Sequence, residues 1–141
     1  MKKFIKLLIA CSTVFSMHSA FAQVAVVVGA KSDIGALTAD QVSGIYLGKT
    51  DKFPNGNTAL PLDQNSGSPV RGNFYDKVTG KSEAQVKAAW SRLVFSGKGT
   101  PPKEVANSAE VKKLVTANPN TIGYIEKSAV DSSVKVVLSS D

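Results

Sequence analysis

Seven residues constrain the fold more than any others. The run Gln23–Gly29, QVAVVVG, is apolar and mostly β-branched after its first residue, so it offers no polar face to water. Such a run suits a strand covered on both sides, which demands a sheet with helices on each face. The later segments supply those helices. Thr38 with Gln41 reads as a capping box, Leu37 can staple onto Val42, and Val42, Ile45 and Tyr46 form one helical face closed near Gly48. A Pro54-Asn55-Gly56 turn precedes a short strand expected over 58–62. Ser68 reads as an N-cap with Pro69 at the first helical position and Val70, Phe74 and Val78 inward. Ser82 with Gln85 opens a third helix, whose stripe is Val86, Ala89, Trp90, Leu93 and Val94. Ser108 starts a fourth, with Val111, Leu114 and Val115 inward and Asn118-Pro119 at its end. TIGYIE and VKVVLS then read as two closing strands, giving β-α-β-α-α-α-β-β and an α/β class.

The first 22 residues stand apart from this fold. Lys2, Lys3 and Lys6 precede an apolar stretch and Ala20-Phe21-Ala22, the pattern of a secretory signal peptide cleaved before Gln23. Ser12, Thr13, Ser16 and His18 interrupt the stretch too often for a membrane anchor. LIAC at 8–11 offers a lipoprotein site as the alternative, with Cys11 as its cysteine. Residues 23–141 are then one exported domain, with a periplasmic location.

Losing the leader removes whole classes of chemistry. Cys11 and His18 are the sole cysteine and histidine, so residues 23–141 hold no thiol and no imidazole. Zinc and copper lose their usual ligands, and serine or cysteine hydrolases lose a base or a nucleophile. No lysine is placed for a Ser-Lys dyad, so the reading is non-enzymatic, with no metal and no cofactor. Three lysines and no acidic residue leave with the leader, and the formal net charge falls from +6 to +3. That mild excess, with no basic run, argues against nucleic acid as a partner.

One stretch carries chemistry. DQNSGSPVRGNF, residues 63–74, puts two serines and a glycine before the second helix and Arg71 inside its first turn. A helix start is already positive, so an arginine there is locally the wrong charge. Two readings stand. In the plain one, Ser68 caps the helix and Arg71 lies in solvent. In the other, the amides of Gly67, Ser68 and Val70, the hydroxyls of Ser66 and Ser68, and the Arg71 fork form an anion pocket. Asp63 either accepts a proton from the bound oxyanion or serves the turn. Arg71 lies off the apolar face, so its removal is expected to leave stability nearly intact.

TGKS at 79–82 and SGKGT at 96–100 suggest phosphate loops. The glycine needed five positions before each Gly-Lys pair is replaced by Tyr75 and Arg92, so they read as a helix cap and a loop. Lys49, Lys52, Lys98 and Lys103 fall in loops and read as solvated, and Trp90 reads as core.

LTADQVSGIYLGK, DQNSGSPVRGNF and NPNTIGYIEKSAV occur in an order that resembles the phosphate-binding proteins of ABC transporters. The resemblance spans roughly residues 37–130. It implies a type 2 periplasmic-binding-protein-like lobe, a mixed sheet flanked by helices, with oxyanion contacts at Ser66, Gly67 and Ser68. It departs in three places. Leu62 stands where members usually carry an arginine, AKSDIG at 30–35 is a poor match for their first anion loop, and the length suits one lobe. The resemblance implies a solute-binding-type protein for phosphate or a similar oxyanion, serving an ABC transporter permease. The alternative is an envelope interaction module that reuses the lobe without a solute. Self-association stays open in both.

Overall fold

The computed structural model describes residues 23–140; the expected leader, its cleavage site and Cys11 lie outside them. The described elements are β1 (Val24–Gly29), α1 (Ala39–Tyr46), β2 (Leu60–Gln64), α2 (Pro69–Phe74), a π-helical turn (Tyr75–Thr79), α3 (Glu83–Phe95), β3 (Lys103–Val105), α4 (Ser108–Ala117), β4 (Thr121–Glu126), a 3-10 turn (Lys127–Ala129) and β5 (Val134–Ser140). The sheet runs β3-β2-β4-β1-β5. Its β3, β2 and β4 are parallel, and β1 is antiparallel to both β4 and β5. This is the mixed sheet flanked by helices that the sequence implies.

β1 is buried at every position, as its composition demands. Val24, Val26 and Val28 face a core built with α1, α2, the π-helical turn and α3. Ala25 and Val27 face a smaller core under α4, with Val111 and Val115. Both expected capping boxes form: Gln41 N donates to Thr38 Oγ1 (3.1 Å) and Gln85 N to Ser82 Oγ (3.2 Å), each with the reciprocal bond.

Several local expectations fail for physical reasons. β2 lies two residues later than expected, because Thr58 bridges to Lys52 and Ala59 N donates to Asp51 O. Those bonds commit 58 and 59 to the preceding loop and carry the strand on to Asp63 and Gln64. β3 was not expected; it is a three-residue edge strand behind Pro101-Pro102, which bring no backbone donor. The N-cap of α4 is Asn107, whose side chain accepts from Glu110 N (3.0 Å), and Ser108 is the first helical residue. The second helix widens into the π-helical turn after Phe74, and the extra residue brings Tyr75 into the core beside Val70, Phe74 and Val78. α3 buries only Val86 and Trp90, while Val94 is half exposed and Phe95 points into solvent. Its main contact is with the π-helical turn and not the sheet; Leu93 still packs on the larger core, while Val94 and Phe95 next to it are left uncovered.

Candidate functional site

The parallel strands β2 and β4 and the starts of α2 and α4 meet at one edge of the sheet, where ligands of open α/β sheets commonly sit. The loop 65–68 closes that edge after β2. Ser66 and Gly67 are exposed and Ser68 is half-buried. Ser68 N donates to Asn65 O (3.1 Å), a tight turn that needs the left-handed backbone of Gly67 at φ +87°. The N–H groups of Ser66 and Gly67 and the Ser66 hydroxyl have no partner among the described residues. α2 has no acidic residue in its first turn, so its positive end is not neutralised from within.

Two expectations about this loop are corrected. The Ser68 amide is not a free donor, because the turn uses it. Nor does the Ser68 hydroxyl cap α2: its Oγ lies 3.4 Å from Gln64 Oε1, to which it donates. Gln64 holds the edge together. Buried at the end of β2, its Nε2 donates to Tyr124 O (3.0 Å) and Ser108 Oγ (3.1 Å), and Ser108 donates to Glu126. A β-period of two carries the inward face of Leu62 on to Gln64, a signal masked by ending the strand at 62.

Asp63 and Arg71 are placed differently from the anion reading. Asp63 is 4% exposed and accepts from Tyr75 OH (2.5 Å) and from Tyr124 OH. It is neither a turn residue nor an acceptor open to a ligand. Arg71 does not lie in solvent either. Its Nη1 donates to Gln64 O (2.8 Å) and to Glu104 Oε1 (2.5 Å), with Glu83 at 3.5 Å from Nε and Asp63 at 3.7 Å from Nη2. Three carboxylates therefore surround one guanidinium. The apparently wrong charge at the helix start is an internal counter-ion to these carboxylates. Its side chain is only 12% exposed, so its removal is expected to cost stability, against the solvent reading.

The tyrosines beneath this cluster were not foreseen as a unit. Phe74 stacks on Tyr124 at 4.1 Å, and Tyr46 meets Phe74 edge-on at 4.6 Å. Tyr46 OH donates to Leu62 O (2.8 Å). Burial, reinforced by the Asp63 charge, pushes the phenols of Tyr46, Tyr75 and Tyr124 well above the ordinary tyrosine range. They remain neutral, and Tyr75 and Tyr124 donate to the Asp63 carboxyl group beside Arg71.

The sequence stretch AKSDIG lies at the other edge of the sheet, past the end of β1. Ser32 there is buried, its Oγ donating to Pro119 O (2.8 Å), and Lys135 Nζ donates to Ser32 O (2.6 Å). It does not face the serine turn. Leu62, at the family's arginine position, is buried in the smaller core.

No family model matches the chain. No curated protein matches it either. Solved structures do. A Clostridium perfringens protein with bound phosphate, assigned as a phosphate ABC transporter substrate-binding protein, superposes with a TM-score of 0.66 at 25% identity, covering 83% of this chain and 45% of its own. An ABC-type phosphate transport receptor from Vibrio cholerae gives 0.65 at 21% identity, with 83% and 47% covered. PstS from Borrelia burgdorferi gives 0.59 at 15% identity, with 83% and 47% covered. The chain thus has the fold that its three motifs imply and spans less than half the length of these proteins.

Proposed function

We propose that this chain, folded like the phosphate-binding proteins of ABC transporters, is an exported, non-catalytic solute-binding-type protein for phosphate or a similar oxyanion. Ser66 and Gly67 contact the anion through their unpartnered donors, Ser68 joins them when its hydroxyl turns from Gln64, and Asp63 and Arg71 hold the strand end and helix that carry them. The observation that carries this reading is the open turn at the start of α2, with unpartnered donors at Ser66 and Gly67, in a fold shared with a phosphate-bound structure. Export rests on the leader pattern of residues 1–22. Among the described residues no helix is long and apolar enough to cross a membrane. The solute would pass to an ABC transporter permease.

Donors on one wall leave most of the anion in water, where each hydrogen bond gains little. Affinity is therefore expected on the order of 0.1–1 mM for phosphate. Calorimetry on the purified protein checks this. Ser66→Ala with Ser68→Ala should weaken phosphate about fivefold or more. Equal affinity in the two proteins would exclude the turn as the site.

A second reading, an envelope interaction module without a solute, is favoured by one observation. Phe95 is 95% exposed beside half-exposed Val94, an apolar pair with no cover among the described residues. Absence of any phosphate heat would favour it.

A further inference from the structure

The opposite end of β2 opens into a cavity of about 830 Å3. Its floor is apolar, with Ile45, Ala59, Leu62 and Trp90 buried and Leu114 half-buried. Lys49, Lys98 and Lys103 line it, against one carboxylate, Asp51. Among the described residues none of the three lysines has an ion-pair partner.

Two glycine-lysine loops bring these cations together. Gly48-Lys49-Thr50 follows α1, and Gly97-Lys98-Gly99-Thr100 follows α3. Both loops rest on one ring: a side chain at Gly48 would reach within 2.9 Å of Trp90, and one at Gly99 within 3.1 Å. Trp90 is fixed in turn by Nε1 donating to Tyr46 O (2.8 Å). Lys103 arrives from β3, opposite Leu62. Lys49, Lys98 and Lys103 are exposed, as expected of loop lysines, and they stand around a single apolar hollow.

Three cations around an apolar floor repel one another, and a bound anion relieves that repulsion. An inorganic ion would leave the floor in contact with water; an apolar cation would add to the repulsion. We propose that this cavity binds a free amphipathic acid, its apolar tail on Trp90, Leu62 and Leu114 and its carboxylate among Lys49, Lys98 and Lys103. The volume falls within the range of small-molecule sites, and a tail of roughly eight to ten carbons fits it. The site does not depend on the serine turn. Four residue steps along β2 separate Leu60 from Gln64, about 13 Å at strand rise.

Trp90 is the sole tryptophan, so its emission reports on the floor directly. Decanoate titrated into the purified protein should shift that emission saturably, with the response weakening several-fold as salt rises. Decylamine should give no such response. Inorganic phosphate should neither shift the emission nor compete with decanoate, so failure here and failure at the serine turn are separable. The triple variant Lys49→Gln, Lys98→Gln and Lys103→Gln should bind decanoate about tenfold more weakly with its thermal midpoint unchanged. Four results would overturn the proposal: no saturable shift below about 5 mM decanoate, an equal response to decylamine, unchanged affinity in the triple variant, or binding to anionic phospholipid vesicles without any response to monomeric decanoate.

Discussion

Asp63 and Arg71 flank Ser66, Gly67 and Ser68 within nine residues, yet the flanks and the middle occupy opposite physical conditions. The charged flanks are buried or nearly so, and each is surrounded by partners: two tyrosines on Asp63, three carboxylates on Arg71. The uncharged middle is exposed or half-buried, and its donors at 66 and 67 are unclaimed. Under the proposed function, charge is therefore a poor guide to which residues meet the ligand. A charged group enclosed by partners positions its neighbours, even with Arg71 Nε left without a hydrogen bond, and a group left unsaturated at the surface is available to bind.

Removing Asp63 should separate the two regions most sharply. Asp63→Ala strips the acceptor from Tyr75 and Tyr124 and one counter-charge from Arg71, all in the interior. Urea denaturation should show a loss of about 3–5 kcal/mol. A loss under about 1 kcal/mol would mean that the cluster carries no structural weight. Arg71→Ala comes next, at about 2–3 kcal/mol, since Glu83 and Glu104 are exposed enough to turn to water. If Arg71→Ala instead left stability intact and weakened phosphate tenfold, the guanidinium would belong to the ligand site.

Alkaline pH probes the same cluster without mutation. Tyr46, Tyr75 and Tyr124 are the only tyrosines, and all are buried. Their folded values lie above the ordinary 10.0, so the fold keeps protons that the unfolded chain releases above that pH. Stability is therefore full below about pH 10 and falls as pH rises further, by about 1.4 kcal/mol per pH unit for each tyrosine. Tyrosinate absorbance should appear only together with loss of the circular dichroism of the fold. Absorbance that rises well before unfolding would place a phenol in water. The smallest effect belongs to the middle of the stretch. Ser68→Ala should change stability by less than about 0.5 kcal/mol, because its hydroxyl makes no cap bond. A loss near 1 kcal/mol or more would restore the capping role.

Much of the frame was legible because it depends on local rules. The apolar run of β1, the Thr38 and Ser82 capping boxes and the inward face of Val70, Phe74 and Val78 need only periodicity and a side chain's reach. The candidate site was legible in part. The serine-glycine turn announces itself by composition and by its resemblance to a family. The environment of Arg71 does not, since Glu83 and Glu104 come from α3 and β3, and no local pattern ties them to residue 71. Asp63 was misread for a nearer reason. Ending β2 at Leu62 made the next residue a turn, where two more strand residues turn it toward Tyr75 and Tyr124. The π-helical turn that delivers Tyr75 has no signature in YDKVT that separates it from an ordinary helix.

Under the proposed function, the anion meets the serine turn and not the charges beside it. An amide chemical-shift titration of the isotopically labelled protein with inorganic phosphate tests this residue by residue. The backbone amides of Ser66 and Gly67 should move most, in one saturable process, while the Arg71 guanidinium resonances and the amides of Lys49 and Lys98 stay in place. Shifts centred on Arg71 and Glu104, or on the lysine loops, with Ser66 and Gly67 unmoved, would contradict it.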